Sequence, residues 1–248
     1  TIIEERGIGG SSVLLDCVPS KSFIAGTGIK TDLRRADDMG LNSLLGRARI
    51  HLPALNKRVQ VLAQEQSDDI HVQLERAGVR MVHGRGRFAE SQLEQLHHRV
   101  TATLEDGTEE IFESELVLLA SGATPRILPG AEPDGERILT WQQVYDLEET
   151  PDHLIVVGSG VTGAEFVSAF AELGVKVTMV ASRDRILPHD DADAADVLEH
   201  VLSQRGVSLE KHARVESVTR TEDGGVRVKT TDGREIFGSH AIMSIGSI

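Results

Sequence analysis

Two hydrophobic periods alternate along this chain. Over residues 53–77 the apolar positions Leu55, Val59, Leu62, Ile70 and Leu74 keep the spacing of one helix face, and Gly78 supplies the stop. Residues 11–35 read as another helix, which Pro19 is expected to kink or interrupt because it brings no backbone N–H. The period then shortens. Residues 79–82, 99–104 and 110–112 predict short strands, the last two joined by an Asp106-Gly107 turn. The unbroken apolar run 116–120 predicts a fully buried strand ending at Ser121-Gly122, and Pro125, Pro129 and Pro133 mark an irregular exit.

Glu148, Glu149, Thr150 and Pro151 break the pattern and place a domain boundary between residues 1–148 and 149–248. The apolar strand 154–157 runs into Gly158-Ser159-Gly160-Val161-Thr162-Gly163, a helix over 164–173 that stops at Gly174, and a strand over 175–180. That is a complete strand-helix-strand unit with G-x-G-x-x-G in its first turn. The glycines permit a tight turn and close approach of backbone to a pyrophosphate, and the helix start offers free N–H groups and a positive dipole end. Residues 190–204 predict a further helix with Val197, Val201 and Leu202 on its apolar side.

The chain also repeats itself. Asp106-Gly107, a strand and the run 116–122 match Asp232-Gly233, a strand and the run 241–246 in order and nearly in spacing. By that logic the first copy lacks its opening strand, glycine turn and helix, roughly 25 to 35 residues of such a unit. Truncation at both ends is therefore expected. At the start, residues 1–3 read as the end of a buried strand leading into Glu4 and Glu5, where an acid serves a nucleotide ribose, and Gly9-Gly10 permits approach to a phosphate.

Composition narrows the partners. Among 248 residues, 26 are basic and 39 acidic, a formal charge of -13 that repels nucleic acid and anionic membrane surfaces. One cysteine excludes an internal disulfide framework, and no apolar run approaches the roughly 20 residues of a membrane span. A reducing cytoplasm is the expectation. The cluster Asp190, Asp191, Asp193 and Asp196 lacks the spacing and central glycine of a calcium loop and reads as first-turn dipole partners. His97-His98 has no third ligand at metal-site spacing, so no metal is expected.

Tandem nucleotide-binding patterns, together with Cys17-Val18-Pro19-Ser20-Lys21 after Gly9-Gly10, make the chain resemble the flavoprotein disulfide reductases, the pyridine nucleotide-disulfide oxidoreductases that include dihydrolipoamide dehydrogenase. The resemblance implies an α/β fold of two tandem Rossmann-like domains in three ββα layers. By that resemblance the first would bind FAD (1–148, without its N-terminal strand and helix), and the second NADH or NADPH (149–248). The resemblance further implies a C-terminal dimerisation domain outside the chain and a homodimer in the full-length protein. Carried over residue by residue, Glu4 matches the adenosine-ribose acid, Gly9 and Gly10 the phosphate-side glycines, and Gly86 a backbone contact to the adenine end. Ser121 and Gly122 match the strand end beside FAD. Lys21 matches the lysine near the flavin N5, and Glu165 its ion-pair partner beside the nicotinamide. Gly158, Gly160, Val161, Thr162 and Gly163 form the pyridine-nucleotide turn, and Val215 and Gly246 fall where the family touches that nucleotide.

The redox motif departs from the family pattern. Ser12 stands where the substrate-attacking cysteine belongs, and only Cys17, the flavin-side one, is kept. Disulfide exchange needs one thiolate to attack and a second to resolve, so a serine hydroxyl cannot replace the first. The expected activity is therefore hydride transfer from NAD(P)H through flavin to a quinone-type acceptor, since reduced flavin delivers one or two electrons without protein thiols. Three alternatives stay open: a sulfenic-acid cycle at Cys17 that reduces peroxide or oxygen, dihydrolipoamide dehydrogenase-like chemistry, and a non-catalytic nucleotide-binding sensor. At the tip of the strand after the glycine turn, Ser182 and Arg183 replace the acid that selects NAD, although Gly163 is the commoner NAD residue. The expectation is use of both nucleotides.

Overall fold

The computed structural model describes residues 1–40, 50–89 and 97–248. Contacts divide the chain into two units, one of residues 1–18 and 61–122, the other of residues 19–60 and 123–248.

The first unit is built on a four-stranded sheet. Strands β1 (Ile2–Glu4), β2 (Met81–Phe88), β3 (His98–Leu104) and β4 (Glu109–Ser114) lie in that order. β1 runs parallel to β2, and the rest of the sheet is antiparallel. Between β3 and β4, Gly107 takes φ +82° while the Asp106 carboxylate accepts the Thr108 N–H at 2.9 Å. β2 is longer than its apolar residues suggest because Gly84 and Gly86 lie inside it. A Cβ at Gly84 would stand 2.6 Å from the Thr103 carbonyl oxygen, so glycine here lets two strands approach closely.

Helix α1 (Gly10–Leu14) stops before α2 (Cys17–Asp38) starts. Pro19 causes no kink of its own, because it sits in the first turn of α2, where an N–H has no partner to lose. The interruption falls at residues 15–16 instead. Helix α3 (Leu52–Arg76) ends as its sequence asks: Gly78 at φ +72° donates to the Glu75 carbonyl at 2.9 Å and Val79 to Leu74 at 3.0 Å.

The expected buried strand over 116–120 does not form. These residues have no regular structure, and Leu116, Leu118 and Leu119 are 82%, 89% and 70% exposed. A run that is apolar on both faces becomes a strand only with a neighbour on each side and cover above and below, and among the described residues none pairs with it. Its repeat counterpart succeeds for that reason: β12 (His240–Met243) is flanked by two strands and buried throughout.

The second unit stacks three layers. Five parallel strands run in the order β5 (Ile138–Thr140), β12, β6 (His153–Val157), β7 (Lys176–Val180) and β8 (Ser208–Glu210). On one face the antiparallel strands β9 (Val215–Arg220), β10 (Val226–Thr230) and β11 (Glu235–Gly238) close a core of Ile155, Val157, Val180, Ala241 and Met243 against Val218, Val226 and Val228. Each such aliphatic burial is worth about 1.5–3 kcal/mol. On the other face lies α4 (Val161–Leu173), with Phe166, Val167 and Phe170 buried. β2-β3-β4 and β9-β10-β11 are each a three-stranded meander with an Asp-Gly turn before the last strand, so the repeat holds for this part.

Helix α5 (Ala192–Gln204) starts on Asp191, whose carboxylate accepts the Ala194 N–H at 3.1 Å. It buries Ala195 and Leu202, and Val197 is 65% exposed instead of core-facing. At 100° per residue, Val197 points away from the stripe through residues 195 and 202. The division by contacts also differs from the expected break at 148/149. Phe23 of α2 packs 6.0 Å from Tyr145 and 5.6 Å from Phe170, ring centre to ring centre, and Asn56 of α3 donates to the Leu147 carbonyl at 2.9 Å. Aromatic packing thus joins 19–60 to the glycine-turn unit, a link with no local sequence signal.

Candidate functional site

In the second unit, β6 ends at Gly158, whose φ is +115°. A Cβ there would stand 2.1 Å from the Ser244 carbonyl oxygen, and one at Gly163 would stand 2.2 Å from the Gly158 carbonyl oxygen. Both positions admit only glycine. Gly160 differs, with nothing within 4 Å of a Cβ and φ -77°, so its side opens onto free space. Gly160 caps α4 without a side-chain bond, leaving the first-turn N–H groups to an incoming anion. Val161 is 58% exposed and Thr162 half-buried at the same helix start. This is a cradle that a pyrophosphate fits.

One turn further along α4 stands Glu165. Its Oε1 accepts from the Nζ of Lys21, on α2, at 2.5 Å, and Lys21 also reaches the Ser20 hydroxyl at 3.2 Å. The lysine side chain is 59% exposed and the glutamate 19%. An ion pair this open adds little stability, so its charge is available for chemistry.

At the tip of β7, Ala181 is buried and Ser182 and Arg183 are exposed. The loop after β8 supports them: the Ala181 carbonyl accepts the Ala213 N–H at 2.8 Å, and that of Arg183 the His212 N–H at 3.1 Å. Glu210 on β8 is taken up by Arg234 at 3.0 Å. Val215, half-buried, packs against the core between the sheets, and Gly246, at φ +93°, offers its carbonyl to the Arg126 N–H at 3.0 Å.

In the first unit, Glu4 ends β1 and its Oε1 accepts the N–H groups of Arg6 at 2.7 Å and Gly7 at 3.2 Å, holding the turn that leads to the glycines. Gly9, at φ +93°, caps α1, and Gly10 faces open space. Ser12 donates to the Gly9 carbonyl at 3.1 Å. Cys17 is an exposed free thiol at the start of α2. Ser121 and Gly122 are exposed and end no strand, since the run before them is irregular. Gly86 lies within β2, beside Ile3 of β1 at 3.4 Å from a notional Cβ. A shallow depression of about 710 Å³ runs along Glu5, His83, Gly84 to Arg87, and Thr103 to Glu105.

Sequence reasoning missed two serines. Ser159, inside the glycine turn, is buried, and its carbonyl accepts the Leu187 N–H at 2.7 Å, with Leu187 at φ +46°. Ser244 is buried beside Gly158, and its hydroxyl has no partner among the described residues. A small polar residue in an apolar strand end carries no periodic signal that would have singled it out.

A family model of the pyridine nucleotide-disulphide oxidoreductases matches residues 1–248. The chain belongs to that family. An NAD(P)H dehydrogenase (quinone) of Mycobacterium tuberculosis is 57% identical over 248 residues, which is 100% of this chain and 50% of that protein. A dihydrolipoyl dehydrogenase of Chlorobaculum parvum is 27% identical over 99% of the chain and 51% of its own length. The crystal structure of LpdA from Mycobacterium tuberculosis superposes with a TM-score of 0.93 at 56% identity, covering 99% of this chain and 52% of that one. The HOCl-induced flavoprotein disulfide reductase RclA from Escherichia coli, at 20% identity and a TM-score of 0.77, shares the fold. The chain spans about half the length of the curated relatives it matches.

Proposed function

We propose that this chain is part of a flavin-dependent oxidoreductase that takes hydride from NADH or NADPH and passes the electrons to a quinone-type acceptor without dithiol exchange. Residues 1–148 are assigned to FAD and 149–248 to the pyridine nucleotide. The observation that carries the reading is the Lys21–Glu165 pair at 2.5 Å, one helical turn past the glycine turn, in a chain with serine at position 12.

Flavin supplies the two-electron and one-electron chemistry when bound. The chain's own residues bind and orient. Gly9, Gly10 and Glu4 are the candidates for the FAD phosphates and ribose, and open space at Gly10 supports that fit. Gly86, Ser121 and Gly122 are assigned backbone contacts to the same group. Gly158, Gly160 and Gly163 shape the nucleotide cradle, and the α4 start with Val161 and Thr162 receives its pyrophosphate. Lys21, oriented by Glu165, would supply a positive charge to steady the negative charge that hydride transfer develops. Val215 and Gly246 are assigned contacts to the pyridine nucleotide. Ser182 and Arg183, exposed at a strand tip that carries a hydroxyl and a guanidinium, favour acceptance of a 2'-phosphate.

The relative that is 57% identical bears the name NAD(P)H dehydrogenase (quinone), which supports the quinone reading. Stopped-flow reduction of the flavin-loaded protein by NADPH or NADH, followed by mixing with a quinone and separately with lipoamide, tests it. Rapid reoxidation by quinone and slow reoxidation by lipoamide are expected, and fast lipoamide turnover overturns the reading.

A further inference from the structure

A second set of contacts lies along α4, one heptad beyond Glu165. Glu172 is seven residues on, about 10.5 Å along the helix axis and on nearly the same face. Its side chain is 11% exposed. One oxygen meets the Arg205 guanidinium at 3.0 Å, and the other lies 3.4 Å from the Thr27 hydroxyl of α2. Arg205 also donates to Ser168 at 3.2 Å, so it is held from α4 twice. A Cβ on Gly28 would come within 3.8 Å of the Glu172 carboxylate, showing how closely α2 approaches. The Lys30 ammonium then donates to the Leu173 carbonyl at 2.6 Å, a cation at a helix C-terminus. Lys21, Thr27 and Lys30 thus follow α2 as Glu165, Glu172 and Leu173 follow α4.

We infer that Glu172 is a positioning residue for the Lys21–Glu165 pair: it fixes the register of α2 against α4 and so sets where the Lys21 ammonium stands. The inference rests on the proposed role of that pair in hydride transfer. The Phe23–Phe170 packing holds α2 on α4 without a polar contact to set the exact register, and the pair adds little, because Lys21 is long, flexible and mostly exposed and an open ion pair is weak. Glu172 is mostly buried and tied to Arg205, so its side chain has fewer rotamers open to it than the exposed Lys21. Thr27 has one hydroxyl proton and two acceptors within reach, the Ile24 carbonyl at 2.9 Å and Glu172. A glutamine at 172 would donate to Thr27 and accept from Arg205, preserving the clasp.

The test compares E172A and E172Q in the flavin-loaded protein, with flavin reduction by NAD(P)H measured per bound flavin. A displacement of order 1 Å at a reacting group costs up to about 100-fold, so E172A is expected to lose about tenfold in the reduction rate with little change in KM. E172Q is expected to stay within about twofold of the parent. Hydrogen exchange of the flavin-free chain supplies the second readout: residues 19–33 exchange faster in E172A and not in E172Q. Unchanged reduction by E172A, or equal loss in both variants, overturns the inference. A parent protein that NAD(P)H fails to reduce overturns instead the functional reading on which it rests.

Discussion

Lys21 and Glu165 stand 144 positions apart in the chain and meet at 2.5 Å. The lysine arrives on α2 and the glutamate on α4. Because the lysine is mostly exposed, the pair contributes at most about 1 kcal/mol to stability. K21M is therefore expected to fold with nearly unchanged thermal stability and to lose about 10- to 100-fold in flavin reduction by NAD(P)H. Scanning calorimetry and stopped-flow absorbance separate the two effects, and a variant that unfolds early but reduces normally would reverse the assignment.

The glycine turn divides into structural and binding positions. Gly158→Ala forces a methyl group to 2.1 Å from a carbonyl oxygen at a left-handed φ, and is expected to cost about 3 kcal/mol or more. Gly160→Ala adds a Cβ with nothing within 4 Å and should leave the melting temperature alone while raising the KM for NAD(P)H severalfold, about tenfold at most. Thermal melts beside steady-state kinetics check both halves.

Cys17 discriminates the electron routes. For direct delivery from flavin to quinone, C17S should keep quinone turnover within about twofold. A loss beyond tenfold, with peroxide consumption abolished, would point to the sulfenic-acid route.

Nucleotide choice follows Arg183. R183E places a carboxylate where a 2'-phosphate is proposed to sit. It is expected to raise the KM for NADPH about tenfold or more while sparing NADH. Complete rejection of NADPH by the unmodified protein would remove the basis for this assignment.

Acid sensitivity should come in two windows. His240 is buried and neutral, with its pKa lowered to about 4 by burial and then by the charges of Arg137 and Arg220, against a partial opposing pull from Asp134 and Asp152. The unfolded chain binds that proton near pH 6.5 and the folded protein only near 4, so stability falls as pH drops between those values. Asp134 is held at about 2: burial raises its pKa, but the N–H groups of Ile138, Glu136 and Arg137 and the Arg220 guanidinium outweigh it. Its contribution is lost lower, between about 4 and 2. Denaturant titrations across pH check this, and H240N should shrink the upper window, leaving the part that His153 contributes, whose pKa is lowered by burial and then by the charge of Lys176.

Much of this was legible beforehand, unevenly. Gly158, Gly160 and Gly163 announce their turn because the requirement is local: the backbone conformation, the clash with Gly158's own carbonyl and the helix that follows all lie within a few residues. The Gly78 cap and the Asp106-Gly107 turn were readable for the same reason. The 116–120 run was misread because its pattern reports apolarity, and burial depends on neighbours that the pattern does not contain. β2 was read short because Gly84 and Gly86 hide the strand, and at Gly84 the packing makes glycine necessary. Ser244 and Glu172 gave no signal, since one is a single polar residue in an apolar strand and the other an ordinary helix charge.

The sequence by itself determined the glycine turn at 158–163, its helix, the repeated meander and the absence of a second cysteine, all of which follow from local spacing and residue type. Only the tertiary structure decided that residues 19–60 pack with the glycine-turn unit, that 116–120 stays exposed, and that Glu172 clasps α2 to α4. Those outcomes depend on which surfaces meet across more than a hundred residues. Burial, ion-pair geometry and aromatic packing are properties of that meeting and of no single stretch.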